Sequence, residues 1–259
     1  LLSKAAAITI GLQMQMEKAP LDDLDVRLAL AQAIDRDTLN SVVLQNANVP
    51  TTSWVPPDVA GIPFDTFDSK VGFDPEAAAK HLADAGYPDG EGFPKLTMLT
   101  RDSAGSKAIS EFLQAEFKKH LNIETDIEIV DAPTRSQRFT DEDFELMTGG
   151  WGQDYPDPEN WIIGLYDSGG GLNHYNCSNP EIDDLVGKAQ FNTNDEERRE
   201  QYRQINALIV EQACGITPMY HRANNYLIST DLGGAREFST SNDFVLAGDW
   251  IAEEWYLKK

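Results

Sequence analysis

The sequence predicts an α/β fold in which a mixed sheet carries helices on both of its faces. Two kinds of segment point to this class. Residues 123–130 alternate apolar and polar side chains, as half-buried strands do, whereas residues 106–117 place apolar side chains at helical spacing. Because such segments alternate along the chain, a layered α/β fold is favoured. Ligands of such sheets settle beyond the carboxyl ends of the strands.

The first half of the chain predicts its elements through alternation and through helix caps. Asp22 or Asp23 caps a first helix, and the Asp74-Pro75 pair begins another that Gly86 ends. Residues 46–74 are rich in proline and glycine but carry aromatic side chains, so they predict a long ordered loop. The predicted strands are residues 8–15, 95–100 and 123–130, and the predicted helices are residues 26–34, 38–44, 75–85 and 106–117.

The second half continues the alternation. Asn179, followed by a proline, caps a helix over residues 180–189, and residues 195–214 predict a long helix with charged faces. The acids and arginines of residues 195–203 are interpreted as a solvated face. The apolar stripe of this helix comprises Tyr202, Ile205, Leu208 and Ile209. The predicted strands are residues 144–147, 216–220 and 226–229, with a strand-like tail at residues 250–257.

Length and charge limit the possible functions. The 259 residues suffice for one large domain, or for one domain with a small appendage. The net charge of -22 argues against a nucleic-acid partner, which needs a basic surface, and against docking on an anionic membrane. No apolar run reaches the roughly 18 residues of a membrane span.

The chain start and the cysteines bear on its compartment. The first ten residues lack a basic leader and a starting methionine, so we expect a fragment or processed form whose export signal lay upstream. Cys177 and Cys214 are too few for an all-cysteine zinc site. They form either one disulfide, which would suit an exported protein, or two buried thiols.

The most informative segment is residues 149–161, which follows the predicted strand at residues 144–147. Glycines such as Gly150 and Gly152 leave the backbone open to close approach, because they have no Cβ. Trp151 offers an aromatic wall, although a place in the core is its other interpretation. Asp154 adds one carboxylate. The segment therefore predicts a ligand site in which a carboxylate binds an amine group of the ligand.

The residue types of this region are also those of a metal site, of a glycosidase and of a sugar-binding protein. Asp154, Asp157 and Glu159 do not have the spacing of a calcium loop and have no histidine near them, so we expect no metal and no cofactor. A glycosidase would use two of these carboxylates, but acidic pairs are frequent in this chain. A sugar-binding protein would use Trp54, Trp151 and Trp161 as stacking platforms.

Five segments, taken in order, resemble the extracellular solute-binding proteins of peptide, nickel and related ABC importers. The first contains Val26-Arg-Leu-Ala-Leu-Ala-Gln-Ala-Ile-Asp-Arg36, and the third is Trp151-Gly-Gln-Asp-Tyr-Pro-Asp-Pro158. The third matches the family's Trp-x-x-Asp-Tyr element. The five segments are residues 20–36, 76–90, 151–158, 175–183 and 199–220. The chain is thereby identified as a member of this family.

The resemblance implies a binding protein rather than an enzyme, with no catalytic residues. Family members have two lobes and about twice this length, so the chain would be a type II periplasmic-binding-protein-like lobe. Residues 1–20 would be a crossing strand at the hinge, residues 21–222 the second lobe, and residues 223–259 a return segment that packs on the missing first lobe. The implied location is periplasmic or extracellular, with the full-length lipoprotein attached to the membrane.

The resemblance also implies the ligand and the roles of the site residues. The expected ligand is a short peptide, or another small molecule, which an ABC permease receives; nucleic acid is not expected. Asp154 would pair with the α-amino group, Trp151 would wall a side-chain pocket, and the backbone at Gly150 and Gly152 would extend a strand with the peptide. Tyr155, the last residue of the Trp-x-x-Asp-Tyr element, is likewise expected to bind the ligand. Thr148 stands where some oligopeptide binders carry an arginine, so the resemblance does not extend to a carboxylate contact there.

Overall fold

The computed structural model describes residues 2–57, 59, 64, 66–226, 229, 231–233 and 256–257. The chain divides into two compact units, Ala7–Arg222 on the one hand and Leu1–Ala6 with Ala223–Lys259 on the other. All of the predicted site residues belong to the first unit. Most of the predicted tail strand at residues 250–257 lies outside the described residues.

A six-stranded sheet forms the centre of the first unit. Its order is β2-β6-β1-β5-β3-β4. The pairs β1–β5 and β2–β6 are antiparallel, whereas β3 runs parallel to both β4 and β5, so the predicted mixed sheet is confirmed. The strands are β1 (Leu2–Met14), β2 (Asn48–Pro50), β3 (Leu96–Arg101), β4 (Thr125–Val130), β5 (Leu146–Gly152) and β6 (Ile216–Tyr226). In the second unit, β7 (Leu232–Gly233) pairs with β8 (Tyr256–Leu257).

The helices begin where the caps predict. The side chains of Asp23, Asp74 and Asn179 accept hydrogen bonds from backbone amides of the first turns of α1, α4 and α7. The helices are α1 (Leu24–Gln32), α2 (Arg36–Thr38), α3 (Asp68–Val71), α4 (Pro75–Asp84), α5 (Ala104–Leu121), α6 (Ala132–Thr140), α7 (Pro180–Ala189) and α8 (Asp195–Glu211). A π-helical turn, Leu39–Val43, continues α2.

Two apolar clusters lie on opposite faces of the sheet. Adjacent strand residues belong to different clusters, as Leu146 and Met147 do, because successive side chains of a strand point to opposite faces. Helices α1, α4 and α5 cover the face of Leu146, and α7 and α8 cover the face of Met147. The predicted stripe of α8 is confirmed by Tyr202, Ile205 and Ile209, which are 0% exposed.

Several elements differ from the predictions. Strand β2 and helix α3 both lie within residues 46–74, which were predicted as a loop. Strand β5 continues through its glycines to Gly152 instead of ending before them. Strand β6 runs from Ile216 to Tyr226 and so continues beyond the predicted end at residue 220, whereas residues 227 and 228 of the predicted strand at 226–229 lie outside the described residues. Helix α6 was not predicted, because it buries no side chain and so lacks an apolar stripe. Its signals are Asp131 at the N-cap and Pro133 in the first turn.

Among the helices that the structure describes, none combines the length and the apolar character needed to cross a bilayer.

Candidate functional site

Strand β5 has one paired edge and one edge that becomes free partway along. Gln15 donates its backbone N–H to Glu145, and Gln153 donates to Ala7 at 2.9 Å, so the odd-numbered residues of β5 bond to β1. The even-numbered residues therefore direct their N–H and C=O groups to the other edge. On that edge, β3 pairs only with Leu146 and Met147. Beyond Met147, no described strand pairs with this edge.

Arg135 of α6 closes the beginning of this free edge. Its Nη2 donates a hydrogen bond to the carbonyl oxygen of Thr148. Of the even-numbered residues in β5, Gly150 and Gly152 then keep backbone groups directed outward, and Gly150 is exposed. The open stretch of backbone is thus two glycines long and lies at the carboxyl end of the strand.

The glycine at position 150 is required by the sheet itself. A Cβ on Gly150 would lie 1.8 Å from the backbone oxygen of Thr9, far inside contact distance. A Cβ on Gly152 would meet its nearest neighbour, Ile8 Cγ1, at 3.4 Å, which is ordinary contact. Gly150 therefore permits the close approach of β1 and β5 in addition to leaving the outer edge bare.

Asn160 brings two of the predicted site residues together. Its Oδ1 accepts hydrogen bonds from Trp151 Nε1 at 3.2 Å and from the backbone N–H of Asp154 at 2.9 Å. Its Nδ2 donates to Asp154 Oδ2 at 3.3 Å. Asn160 is 8% exposed, whereas the Asp154 side chain is exposed at the end of β5. Asn160 was not predicted as a site residue, because an asparagine within a turn carries no signal of tertiary contacts.

Tyr155 lies beside Asp154 and is 45% exposed. Partial burial raises the pKa of its phenol, and the nearby charge of Glu159 acts in the same direction. A hydrogen bond with the Asn160 side chain acts on this pKa in the opposite direction, so Asn160 also contacts Tyr155.

The three carboxylates of the segment differ in their partners. Arg198 of α8 binds Asp157 with two hydrogen bonds, of 3.0 and 2.8 Å, and lies 3.6 Å from Glu159. The interpretation of residues 195–203 as a purely solvated face is therefore wrong at Arg198. Asp154 forms no ion pair with any described residue. It alone of the three keeps its charge available to a ligand.

Two arginines lie at the opposite end of the open edge. Arg101 ends β3, and Arg135 reaches Thr148 from α6. Burial lowers the pKa of Arg135, and repulsion by the nearby charge of Arg101 adds to this effect. Neither guanidinium lies within ion-pair distance of a carboxylate in the described part of the chain. The open edge thus has a carboxylate at one end and unneutralised cations at the other.

Two of the three tryptophans predicted as stacking platforms, Trp54 and Trp161, are buried. Trp54 and Trp161 are 0% exposed, their rings meet edge to face at 5.6 Å, and Trp54 Nε1 donates to the carbonyl oxygen of Trp161. Only Trp151 of the three retains partial exposure. The sugar-binding hypothesis therefore loses two of its three aromatic surfaces, because these side chains belong to the core.

Of the two alternatives for the cysteines, a disulfide or two buried thiols, the structure has the disulfide. Cys177 and Cys214 form a disulfide with their Cα atoms 5.4 Å apart, joining the segment before α7 to the segment after α8. Over the described residues, no group of three His, Cys, Asp or Glu side chains is placed to hold a metal ion.

Comparison with known proteins gives the context of this site. The family model "Bacterial extracellular solute-binding proteins, family 5 Middle" matches residues 2–173. Oligopeptide-binding protein OppA of Bacillus subtilis (strain 168) is 24% identical over 226 residues, covering 84% of this chain and 41% of the relative. Heme-binding protein A of Haemophilus influenzae is 28% identical over 225 residues, covering 82% of this chain and 41% of that relative.

A solved structure extends the similarity to the fold. The crystal structure of a periplasmic oligopeptide-binding protein from Borrelia burgdorferi superposes with a TM-score of 0.80 at 30% identity, over 90% of this chain and 46% of that one. The chain therefore spans less than half the length of each of these proteins. Its lobe has the type II periplasmic-binding-protein fold, as the resemblance implies. The chain belongs to family 5 of the bacterial extracellular solute-binding proteins.

Proposed function

We propose that this chain is a ligand-binding lobe of an exported solute-binding protein that captures short peptides for an ABC importer. The observation that carries the proposal is the open edge of β5, where Gly150 and Gly152 direct backbone groups outward beside the carboxylate of Asp154. A peptide placed along this edge would add a strand to the sheet, since backbone donors and acceptors match regardless of peptide sequence.

The charges at the two ends of the edge fit the two ends of a peptide. Asp154 lies at one end and would accept a charge-assisted hydrogen bond from an α-ammonium group. Arg101 and Arg135 lie at the other end and would attract a carboxylate. Arg135 donates to the carbonyl oxygen of Thr148, so it and Arg101 would take the place of the arginine that some oligopeptide binders carry at the position of Thr148.

The competing functions receive less support. A glycosidase would need a second carboxylate near Asp154, but Asp157 and Glu159 are engaged by Arg198. A sugar site would need exposed aromatic faces, and Trp54 and Trp161 have none. Capture and release without covalent chemistry is the mechanism that these contacts favour.

The wider organisation is proposed from the family. A second lobe would close over the β5 edge by a hinge motion, and an ABC permease would receive the ligand. Residues 1–20 would cross the hinge, residues 21–222 would form this lobe, and residues 223–259 would return to the other lobe. The disulfide supports export to an oxidising compartment, periplasmic or extracellular, with membrane attachment of the full-length protein.

Isothermal titration calorimetry on the full-length protein tests the amine contact. Asp154→Ala should weaken binding of trialanine by about 10- to 100-fold, the range expected when a hydrogen bond to a charged group is lost. Asp37→Ala is the matched control, because it removes an exposed carboxylate from α2. Equal affinity of Asp154→Ala and the parent would rule out the amine contact.

A thermal-shift screen of the same protein tests the ligand class. Di- to pentapeptides should raise the melting temperature, because a ligand that binds the folded state stabilises it by mass action. Oligosaccharides and haem serve as comparison ligands, haem because one relative is a haem-binding protein. If oligosaccharides or haem raised the melting temperature and peptides did not, the peptide proposal would be wrong.

A further inference from the structure

We propose that Asn160 is the positioning residue of the site: its side-chain amide holds the Asp154 carboxylate in one orientation and so sets the preference for ligands with a free amine. This inference rests on the proposed function, because it concerns the same site. It assigns a role to a residue that would not itself touch the ligand.

The orientation of the Asn160 amide is fixed by its partners. The indole N–H of Trp151 and the backbone N–H of Asp154 can only donate, and both point to the same atom of Asn160, at 3.2 and 2.9 Å. That atom must therefore be Oδ1, and the amide cannot be flipped. Nδ2 then necessarily faces Asp154 Oδ2, at 3.3 Å, and donates to it.

The turn beneath Asn160 is itself held in place. The Asn160 backbone N–H donates to the carbonyl oxygen of Asp157 at 3.1 Å, and the Asp157 side chain caps the 3₁₀ turn Pro158–Trp161. The next residue, Trp161, is 0% exposed, and its carbonyl oxygen accepts from Trp54 Nε1 at 2.7 Å. Asn160 is thus fixed to the core, whereas Asp154 projects from a loop and depends on Asn160 for its orientation.

An amide suits this task better than a cation would. The neighbouring Asp157 shows the alternative, since Arg198 orients it with two hydrogen bonds but also neutralises it. The neutral amide of Asn160 restricts the rotation of the Asp154 carboxylate while leaving its negative charge for an incoming ammonium group. A carboxylate that is ordered before the ligand arrives loses less entropy on binding. Removal of the Asn160 amide should therefore weaken binding by about three- to tenfold.

Coupling between the two residues separates this role from a merely structural one. Calorimetry on the full-length protein would compare the parent, Asn160→Ala, Asp154→Ala and the double variant, with trialanine and N-acetyl-trialanine as ligands. Asn160→Ala should weaken the affinity for trialanine about three- to tenfold and leave the affinity for N-acetyl-trialanine unchanged. In the Asp154→Ala background, it should cause no further loss of affinity for trialanine. Asn192→Ala is the matched control, an amide that donates to Glu197 at 3.4 Å outside the site. It should change neither affinity.

Equal weakening of both peptides by Asn160→Ala, or a further loss in the Asp154→Ala background, would overturn the positioning role. If Asp154→Ala bound trialanine as tightly as the parent, the proposed function itself would fail, which is a different result. A second measurement needs neither a ligand nor a folded Asn160→Ala variant. In asparagine-labelled protein, the side-chain amide resonance of Asn160 should shift in Asp154→Ala, and an unmoved resonance would also overturn the proposal.

Discussion

Arg198 and Asp157 form a two-pronged ion pair in which Nη1 lies 3.0 Å from Oδ2 and Nη2 lies 2.8 Å from Oδ1. The guanidinium also lies over the ring of Tyr202, 4.7 Å from its centroid, on the same helix. Because Asp157 caps the turn that carries Asn160, this pair attaches the site loop to α8. Arg198 is 22% exposed and Asp157 30%, so the pair is only partly screened by water.

Arg198→Ala should lower the free energy of unfolding by about 1–2 kcal/mol, since a two-pronged bond between charged groups is lost at a half-buried position. Arg198→Lys should restore less than half of this, because an ammonium group cannot form both bonds. Urea unfolding measures both changes. Arg199→Ala, an exposed neighbour on the same helix, is the control. Should Arg198→Ala unfold like Arg199→Ala, the pair would not anchor the loop.

Gly150 and Gly152 offer a matched pair of substitutions in one strand. Gly150→Ala should destabilise the protein by about 2 kcal/mol or more, because β1 must move away from a Cβ that would otherwise lie 1.8 Å from the Thr9 oxygen. Gly152→Ala should stay within about 1 kcal/mol of the parent, because its Cβ would meet only ordinary contacts. Urea unfolding of both variants gives the comparison, and equal losses would contradict the close approach of the strands.

Local signals in the sequence predict the elements well. Asp23, Asp74 and Asn179 were predicted as caps because a cap needs only a side-chain oxygen and the next few amides. The mixed sheet followed from alternating segments. The predicted end of β5 at residue 147 was wrong. Glycines by themselves weaken a strand, and the pairing with β1 keeps residues 148–152 extended.

The site was predicted only as far as its local residues allowed. Asp154 and Trp151 were found because a carboxylate and an aromatic side chain beside glycines form a recognisable pattern. The partners that distinguish Asp154 from Asp157 were not found, because Arg198 is 41 residues away from Asp157 in the chain. Burial of Trp54 beside Trp161 likewise depends on residues 107 apart. No spacing rule reaches such distances, so the charge balance of the site required the fold.

The disulfide should contribute measurably to stability. Cys177 and Cys214 are 37 residues apart, and closing a loop of that length restricts the unfolded chain by roughly 2–4 kcal/mol. A reductant should therefore lower the melting temperature of the parent, whereas the double variant Cys177→Ala/Cys214→Ala should melt at a lower temperature with or without it. If the parent protein were fully unfolded and refolded in the reductant and its melting temperature did not change, the result would argue against the disulfide.

His221 of β6 gives the protein a specific dependence on acid. The side chain is 2% exposed, and its Nδ1 lies 2.9 Å from Thr9 Oγ1, whose own proton goes to the carbonyl oxygen of Trp54. Nδ1 must therefore donate to Thr9. Nε2 is buried and has no hydrogen-bond partner among the described residues. Protonation would place a charge and an unpaired N–H there, so burial lowers the pKa of His221 from 6.5 to about 4.

The unfolded chain, with its higher pKa, binds more protons than the folded one between pH 6.5 and about 4. The contribution of neutral His221 is thus fully present above pH 6.5 and is lost as the pH falls through this window, by up to roughly 3 kcal/mol. His221→Asn, whose amide can replace the Nδ1 donor, should flatten this part of the stability curve in urea unfolding at a series of pH values. If His221→Asn and the parent lost stability equally over this window, the buried imidazole would not be its source.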